Sequence, residues 1–156
     1  MVRIAIIPQA QSQSTIFIIG IVMAELVEAP SIDNLPFEIA LLIRMPHVGH
    51  IVDGLKTWEM RSRSSKSGFT IGLIASKSGT IVGEAYFEKI LEPLTDEEYD
   101  SHFDKHRVPN TSKELRDKYK YPWVLKNIKK YKNPIPYKHP AGAVIWVKMR
   151  ESIFEI

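Results

Sequence analysis

Three charged side chains with reactive groups lie within six residues, in the segment GLKTWEMR at residues 54–61. A lysine that is partly desolvated near an arginine has a lowered pKa, which suits Lys56 to act as a base or an electrophile. Glu59 can accept a proton or hold the lysine in place. The planar guanidinium of Arg61 matches a phosphate or a carboxylate. These residues predict a cleft in which Lys56 and Glu59 are the candidate catalytic residues and Arg61 binds the ligand.

A strand is needed to present these side chains together. Polar and apolar residues alternate along the segment, as they do in a strand with one buried face. If residues 57–63 are extended, Trp58 and Met60 point to one face while Thr57, Glu59, Arg61 and Arg63 point to the other. The first pair then enters the core, and the second lines a surface or a cleft. A solvated strand face with paired charges has the same alternation, so this pattern alone leaves a purely structural role open.

The surrounding elements are predicted from hydrophobic runs and from helix-end residues. Pro46 suits the first turn of a helix that Gly54 ends in a left-handed conformation. Two T-x-x-E capping boxes predict further helices, the first running to about residue 106: Thr95 with Glu98, and Thr111 with Glu114. Apolar and β-branched runs predict strands at 37–45, 57–63, 69–76, 80–90, 123–131 and 143–149. The expected fold is α+β, a small mixed β-barrel with short peripheral helices.

Composition and charge limit the classes of protein to consider. The 156 residues suffice for one domain, which we place at 38–150, with an N-terminal extension at 1–37 and a tail at 151–156. The chain has no cysteine, which excludes disulfides and favours a reducing, cytoplasmic location. Nine apolar residues at 16–24 are too few to span a bilayer, which needs about 20, so no membrane association is expected. This apolar segment is a candidate contact for a protein partner.

A basic tract with interleaved aromatic residues occupies 118–138 and contains seven lysines but no acidic residue. Cations that follow phosphates and rings that stack on bases are typical of proteins that bind single-stranded nucleic acid. The candidate nucleic-acid-binding residues are Lys126, Lys129, Lys130, Lys132 and Lys138. Tyrosines and tryptophans also fill cores, so the rings of Tyr121, Trp123, Tyr131 and Tyr137 have a structural alternative.

Two histidine pairs have a spacing that places both rings on one helical face: His47 with His50, and His102 with His106. No third ligand accompanies either pair, so we expect no metal site. The sequence also lacks a P-loop, a dinucleotide-binding glycine motif and a nucleophile elbow, so we expect no cofactor.

The motif G-x-K-x-x-E-x-R after a short helix resembles the signature of the ASCH family, a branch of the PUA-like barrels. This sequence has all four fixed letters, at Gly54, Lys56, Glu59 and Arg61. Three later segments are also similar to the bacterial ASCH pattern: VGEA at 82–85, YPWVL at 121–125 and PAGAVIWV at 140–147.

The resemblance implies a β-barrel whose cleft, beside the motif, binds RNA or a modified nucleobase or nucleoside. Further candidate ligand-binding residues of this cleft are Glu84, Tyr121, Trp123 and His139. Some relatives are implied to be hydrolases: amidohydrolases that act on a modified nucleoside, or ribonucleases. The amidohydrolase branch has a threonine nucleophile three residues after the motif lysine, where this chain has Glu59. We therefore expect a binding domain first, with a hydrolase that uses Lys56 and a protein-interaction module as alternatives.

Overall fold

A computed structural model describes residues 2–5, 15–19 and 22–152. Two 3-10 helices lie at Ile32–Asn34 and Met149–Glu151. The described helices are α1 (His47–Val52), α2 (Asp96–Ser101), α3 (Phe103–His106) and α4 (Lys113–Lys118). The described strands are β1 (Val2–Ala5), β2 (Thr15–Ile19), β3 (Val22–Val27), β4 (Ile39–Ile43), β5 (Trp58–Arg61), β6 (Phe69–Ala75), β7 (Thr80–Ile90), β8 (Tyr121–Pro136) and β9 (Trp146–Lys148).

All nine of these strands belong to one mixed sheet organised around β8. The order is β1-β2-β3-β8-β7-β6-β4-β9, and β5 pairs with β8 beside this path. The β3–β8 and β4–β6 pairs are parallel, and the other pairs are antiparallel. The predicted α+β class is confirmed. Among the described residues no strand pairing joins β1 to β9, so the strands form an open path and not a closed barrel.

The main core lies between the sheet and α1, where the long apolar runs of β4, β6 and β7 are buried. Trp123 is 2% exposed, and its ring stacks on Phe87 and on Trp146, with centroid distances of 5.0 and 5.8 Å. A separate small cluster packs β5 against the segment of short helices and contains Met60, Tyr99 and partly buried Trp58. The predicted alternation of β5 is therefore confirmed for its apolar face.

Helix ends agree with the predictions where local chemistry decides them. Gly54 has a φ of 81° after α1, and the Thr95–Glu98 capping box is present at α2. Pro46 precedes α1 and is not its first residue. The predicted helix to residue 106 is interrupted at His102, which separates α2 from α3.

Three other expected boundaries differ from the structure. The predicted capping box of Thr111 and Glu114 is wrong, because α4 begins after Ser112 and no side chain caps this helix. The predicted strand at 123–131 is longer, because β8 takes both β5 and β7 as partners along its length. The predicted strand at 143–149 is shorter, since β9 spans Trp146–Lys148, the residues in register with β4.

The N-terminal segment contributes strands to the sheet. β1, β2 and β3 pair in antiparallel order, and β3 adds to β8 in parallel, with Ala24 opposite Ile128. Ala24 is 2% exposed within the main core. The predicted contact segment at 16–24 includes residues 20 and 21, and the predicted tail includes 153–156; these lie outside the described residues. Within the described part of the chain, no helix has the length and apolarity needed to cross a membrane.

Candidate functional site

Lys56 lies at the junction between α1 and β5 and is completely buried. The left-handed Gly54 turns the chain so that the backbone amides of Leu55 and Lys56 both donate to the carbonyl of His50. The Lys56 ammonium donates to the carbonyl oxygen of His106, and its Nζ lies 3.8 Å from Oε1 of Glu59. A buried charge is costly unless it is paired and hydrogen-bonded, and this lysine has both kinds of partner.

Glu59 and Arg61 form the other half of the network. The Nε and Nη2 atoms of Arg61 donate to the same oxygen, Oε2 of Glu59, at 3.1 and 2.8 Å. Nη2 also donates to the carbonyl oxygen of Leu42 at 2.8 Å. Since Leu42 belongs to β4, which is not a neighbour of β5 in the sheet, the Arg61 side chain bridges two separate strands. The guanidinium lies 5.6 Å from the ring centre of Trp123.

Burial and neighbouring charges set the protonation of this network. Burial lowers the pKa of Lys56, the carboxylate of Glu59 acts in the opposite direction, and the charge of Arg61 lowers it further. A lysine in such surroundings loses its proton more readily than an exposed one. The carboxylate of Glu59 therefore offsets part of the effect of burial on the pKa of Lys56.

His106, whose carbonyl oxygen accepts the hydrogen bond from Lys56, is completely buried. Its Nδ1 accepts a hydrogen bond from the Val108 amide at 2.8 Å, so Nε2 carries the proton and donates to the Tyr99 carbonyl at 2.6 Å. Burial lowers the pKa of His106 to about 4. The ring is therefore neutral, and both of its nitrogens are occupied by backbone groups.

The other histidines of the predicted pairs lie apart from any third ligand. His102 stacks on Trp58 at a centroid distance of 5.2 Å. The Nδ1 atoms of His47 and His50 are buried without a hydrogen-bond partner, and burial lowers the pKa of both rings. Across residues 2–5, 15–19 and 22–152, no group of three or more His, Cys, Asp or Glu residues has the arrangement to hold a metal ion.

One cavity of about 950 Å³ opens beside this network. Lys56, Glu59 and Arg61 all line it, so the motif side chains converge on one concave space. Aromatic rings contribute to the same wall: Tyr99, Tyr119, Trp123, Tyr137 and Trp146. Six cationic side chains and one carboxylate, Glu59, complete the charged lining, and the cations are Arg44, Lys56, Arg61, Arg63, Lys77 and Lys118.

Comparison with known proteins gives these residues a family context. The model of the ASCH domain matches residues 41–135, which is more than half of the chain. The chain belongs to the ASCH domain family. Crystal structures of two mutants of ZmASCH, an ASCH protein from Zymomonas mobilis, have a similar fold, with TM-scores of 0.52 and 0.53 and 19% sequence identity each. The matches cover 63% and 65% of this chain and 74% and 77% of the ZmASCH chains. No curated protein matches the chain.

Two of the predicted ligand-binding residues line the ASCH cavity besides Arg61. Trp123 does so with a small exposed fraction, and its Nε1 donates to the Arg63 carbonyl at 3.0 Å. His139 is exposed and lines the cavity, and its ring hydrogen-bonds to the Tyr137 hydroxyl at 3.1 Å and to the Ala143 carbonyl at 2.8 Å.

Two other predicted ligand-binding residues lie away from the lining of the cavity. Glu84 is buried and accepts a hydrogen bond from the Tyr131 hydroxyl at 2.9 Å. Tyr121 is partly buried and packs against the main core. Strand β7 lies on the other edge of β8 from β5, which explains why Glu84 is remote from the motif.

Four of the predicted nucleic-acid-binding lysines lie within β8, and the fifth lies in the loop after it. Three of the five have a carboxylate partner. Lys126 pairs with Glu88, Lys130 with Asp53 at 2.7 Å, and Lys132 with Glu28 at 3.6 Å. Lys129 is partly buried in the strand, and Lys138 is exposed. Acidic residues therefore pair with three of the seven lysines of the basic tract.

Sequence reasoning missed three cations that line the cavity, Arg44, Lys77 and Lys118, whereas it placed Arg63 on the same strand face as Glu59 and Arg61. Arg44 follows β4 directly, Arg63 follows β5, and Lys77 lies two residues after β6. A signal was available, since a basic residue lies at or just beyond the end of three predicted strands in succession. Only the parallel pairing of β4 with β6 shows that two of these strand ends meet.

Proposed function

We propose that this ASCH domain binds RNA or a modified nucleoside, with a base held in the cavity beside Lys56, Glu59 and Arg61. The supporting observation is the charge imbalance of a ring-lined cavity, which has six cationic side chains against one carboxylate. Cations attract the phosphates of a nucleic acid, and aromatic rings provide surfaces on which bases stack. A cavity of about 950 Å³ is within the size range of small-molecule sites.

The network gives each motif residue a role in this proposal. Arg61 holds Glu59 by two hydrogen bonds, so the carboxylate is fixed before a ligand arrives. A fixed carboxylate is suited to accept a hydrogen bond from the exocyclic amine of a base. We further propose that the bond from Arg61 to Leu42 closes the gap between β5 and β4, which gives the open sheet a PUA-like, barrel-shaped enclosure.

Binding is favoured over hydrolysis because of the state of Lys56. Its ammonium is buried and engaged with a carbonyl and a carboxylate, so it is not available to a ligand in the cavity as a free base. A general base must reach the proton that it removes within hydrogen-bond distance. Hydrolysis by Lys56 therefore needs a rearrangement that binding does not need.

Two lysines of α4 offer a matched test. Lys118 lines the cavity, whereas Lys113 is exposed on the same helix and pairs with Asp117. Affinity for short mixed-sequence single-stranded RNA, measured by fluorescence anisotropy at several salt concentrations, should weaken in Lys118→Gln, with a salt slope lower by about one. Lys113→Gln should bind as the wild type does.

Outcomes of this experiment separate the functions. Equal affinities for both variants and the wild type would contradict a role of the cavity in binding. Mass spectrometry of the same RNA and of a panel of modified nucleosides after incubation would detect a hydrolase by its product. Absence of both binding and product would favour the protein-interaction alternative.

A further inference from the structure

Three cations at the rim of the cavity come from the ends of different strands. Strands β4 and β6 are parallel neighbours in which Ile43 lies opposite Ala75, and the Ser76 amide donates to the Ile43 carbonyl at 2.9 Å. Arg44 and Lys77 therefore leave the sheet at the same edge. Arg63 reaches the same cavity from the loop that follows β5. Ligand sites are common beyond the carboxyl ends of parallel strands.

These cations lack the acidic neighbours that the β8 lysines have. Within the part of the chain that the structure describes, no carboxylate lies within 4.0 Å of the charged atoms of Arg44, Arg63 or Lys77. The carboxylate that lines the cavity, Glu59, is already engaged by Lys56 and Arg61. The charge at the rim is therefore available to an anion from outside.

Hydroxyl groups accompany these cations. Ser62 and Ser64 flank Arg63 in the loop after β5, and Ser76 precedes Lys77; all three serines line the cavity. The turn that carries Lys77 is held in a left-handed conformation, with φ values of 69° at Lys77 and 71° at Gly79. Guanidinium, ammonium and hydroxyl donors around one opening are the groups that recognise phosphate oxygens.

We propose that Arg44, Arg63 and Lys77 form a subsite for a terminal phosphate, so that the ligand is a nucleotide or the phosphorylated end of an RNA strand. A phosphomonoester has a charge of about −1.5 to −2 at neutral pH, which three cations match better than the single charge of an internal phosphodiester. This inference rests on the proposed function of the cavity and specifies its ligand. It also assigns the phosphate to the rim, away from the paired lysines of β8.

The test compares probes that differ only in the terminal phosphate. A mixed-sequence RNA tetramer with a 5′-phosphate, a 3′-phosphate or neither, and nucleosides with their 5′-monophosphates, are titrated by calorimetry. The preferred phosphorylated probe should bind at least about tenfold more tightly than its unphosphorylated form, because charge-assisted hydrogen bonds are added. Preference for a tetramer identifies a strand end, and preference for a monophosphate identifies a free nucleotide.

The triple variant Arg44→Gln/Arg63→Gln/Lys77→Gln should lose this preference and retain its affinity for unphosphorylated probes. Its charge-matched control is Lys66→Gln/Lys113→Gln/Lys148→Gln, in which three exposed lysines outside this cavity are changed. The control should keep the preference. Equal wild-type affinity for phosphorylated and unphosphorylated RNA would overturn the subsite and leave the proposed function intact.

Inorganic phosphate tests the subsite even if no nucleic acid binds. Side-chain NMR of the arginine Nε–H groups should show saturable shifts for Arg44 and Arg63 on addition of phosphate, and none in the triple variant. Such shifts without binding of any RNA or nucleoside would support the subsite and refute the proposed function. Absence of shifts at millimolar phosphate would overturn the subsite.

Discussion

Glu59 is the residue on which the electrostatics of the buried network depend. Its Oε1 atom lies 3.8 Å from the Lys56 ammonium, and its Oε2 atom lies 2.8 Å from the Arg61 guanidinium. Removal of one member of a buried ion pair leaves an uncompensated charge, which costs more than replacement of the whole pair. The network is therefore expected to be cooperative.

A double-mutant cycle measures this cooperativity. Glu59→Gln should lower the free energy of unfolding by about 3–5 kcal/mol, because Lys56 and Arg61 lose their carboxylate. Lys56→Met should cost less in the Glu59→Gln background than in the wild type, since it then removes an unpaired charge. Urea denaturation of the four proteins gives the coupling energy, expected at about 0.5–3 kcal/mol. Additive effects would show that the two side chains do not interact.

His106 makes stability depend on pH in a defined window. Its pKa falls from 6.5 to about 4 on burial, so the unfolded chain binds a proton between these values while the folded chain does not. The contribution of this pKa difference to the free energy of unfolding is therefore complete above pH 6.5 and decreases as the pH falls towards 4. The decrease is about 3 kcal/mol for this shift.

The variant His106→Gln isolates that effect. It should be less stable than the wild type at pH 7, because the bonds to Tyr99 and Val108 are disturbed. Its unfolding free energy, from urea denaturation, should fall less steeply than that of the wild type between pH 6.5 and 4. Parallel curves for the two proteins would rule out His106 as the source. His47 and His50 are present in both proteins and do not affect the comparison.

At the scale of elements, the two T-x-x-E sequences show how one motif has two outcomes. Thr95 accepts from the Glu98 amide at 3.2 Å, and Glu98 accepts from the Thr95 amide at 3.1 Å. At the second sequence, Thr111 to Glu114, the residue before α4 is Ser112 and not the predicted Thr111. The tertiary position of α4 has overridden the local preference, and Arg116 on this helix bonds to the Val108 carbonyl and to Asp100.

The two threonines form a matched pair of substitutions. Thr95→Ala should lower the free energy of unfolding by about 1 kcal/mol, because one helix-end amide loses its acceptor. Thr111→Ala should leave it nearly unchanged, since no capping bond involves Thr111. Thermal and urea denaturation of both variants provide the measurement. A similar loss in both proteins would show that the second box forms in solution.

At the scale of the whole molecule, the N-terminal strands cover an edge of β8. Residues 24–27 pair with 128–131, and the partners Ile128 and Tyr131 are 3% and 2% exposed. An uncovered strand edge presents unpaired amides and carbonyls, which favours association with other chains. The meander of β1 to β3 therefore has a protective role in addition to its contribution to the core.

Truncation tests this role. A chain that begins at residue 28 should be less stable and should self-associate, because the β8 edge and the side chains beneath β3 become exposed. Analytical ultracentrifugation gives the association state, and urea denaturation gives the stability. A truncated chain that stays monomeric with an unchanged denaturation midpoint would contradict the protective role.

Local chemistry in the sequence was enough to predict several features of this protein. The strand carrying the motif, the left-handed Gly54 and the first capping box depend on residues within a few positions of each other. The ASCH motif was also readable, because its four fixed residues lie within eight positions. Short-range periodicity and backbone preference act on such separations, so no knowledge of the fold was required.

The tertiary structure decided which charges are available to a ligand. The lysines of β8 had the more obvious sequence pattern, but Glu28, Asp53 and Glu88 come from distant segments to pair with three of them. Arg44 and Lys77 are separated by more than thirty residues and meet at one rim because β4 and β6 pair in parallel. Strand order and ion-pair partners depend on long-range packing, which the alternation of one strand does not encode.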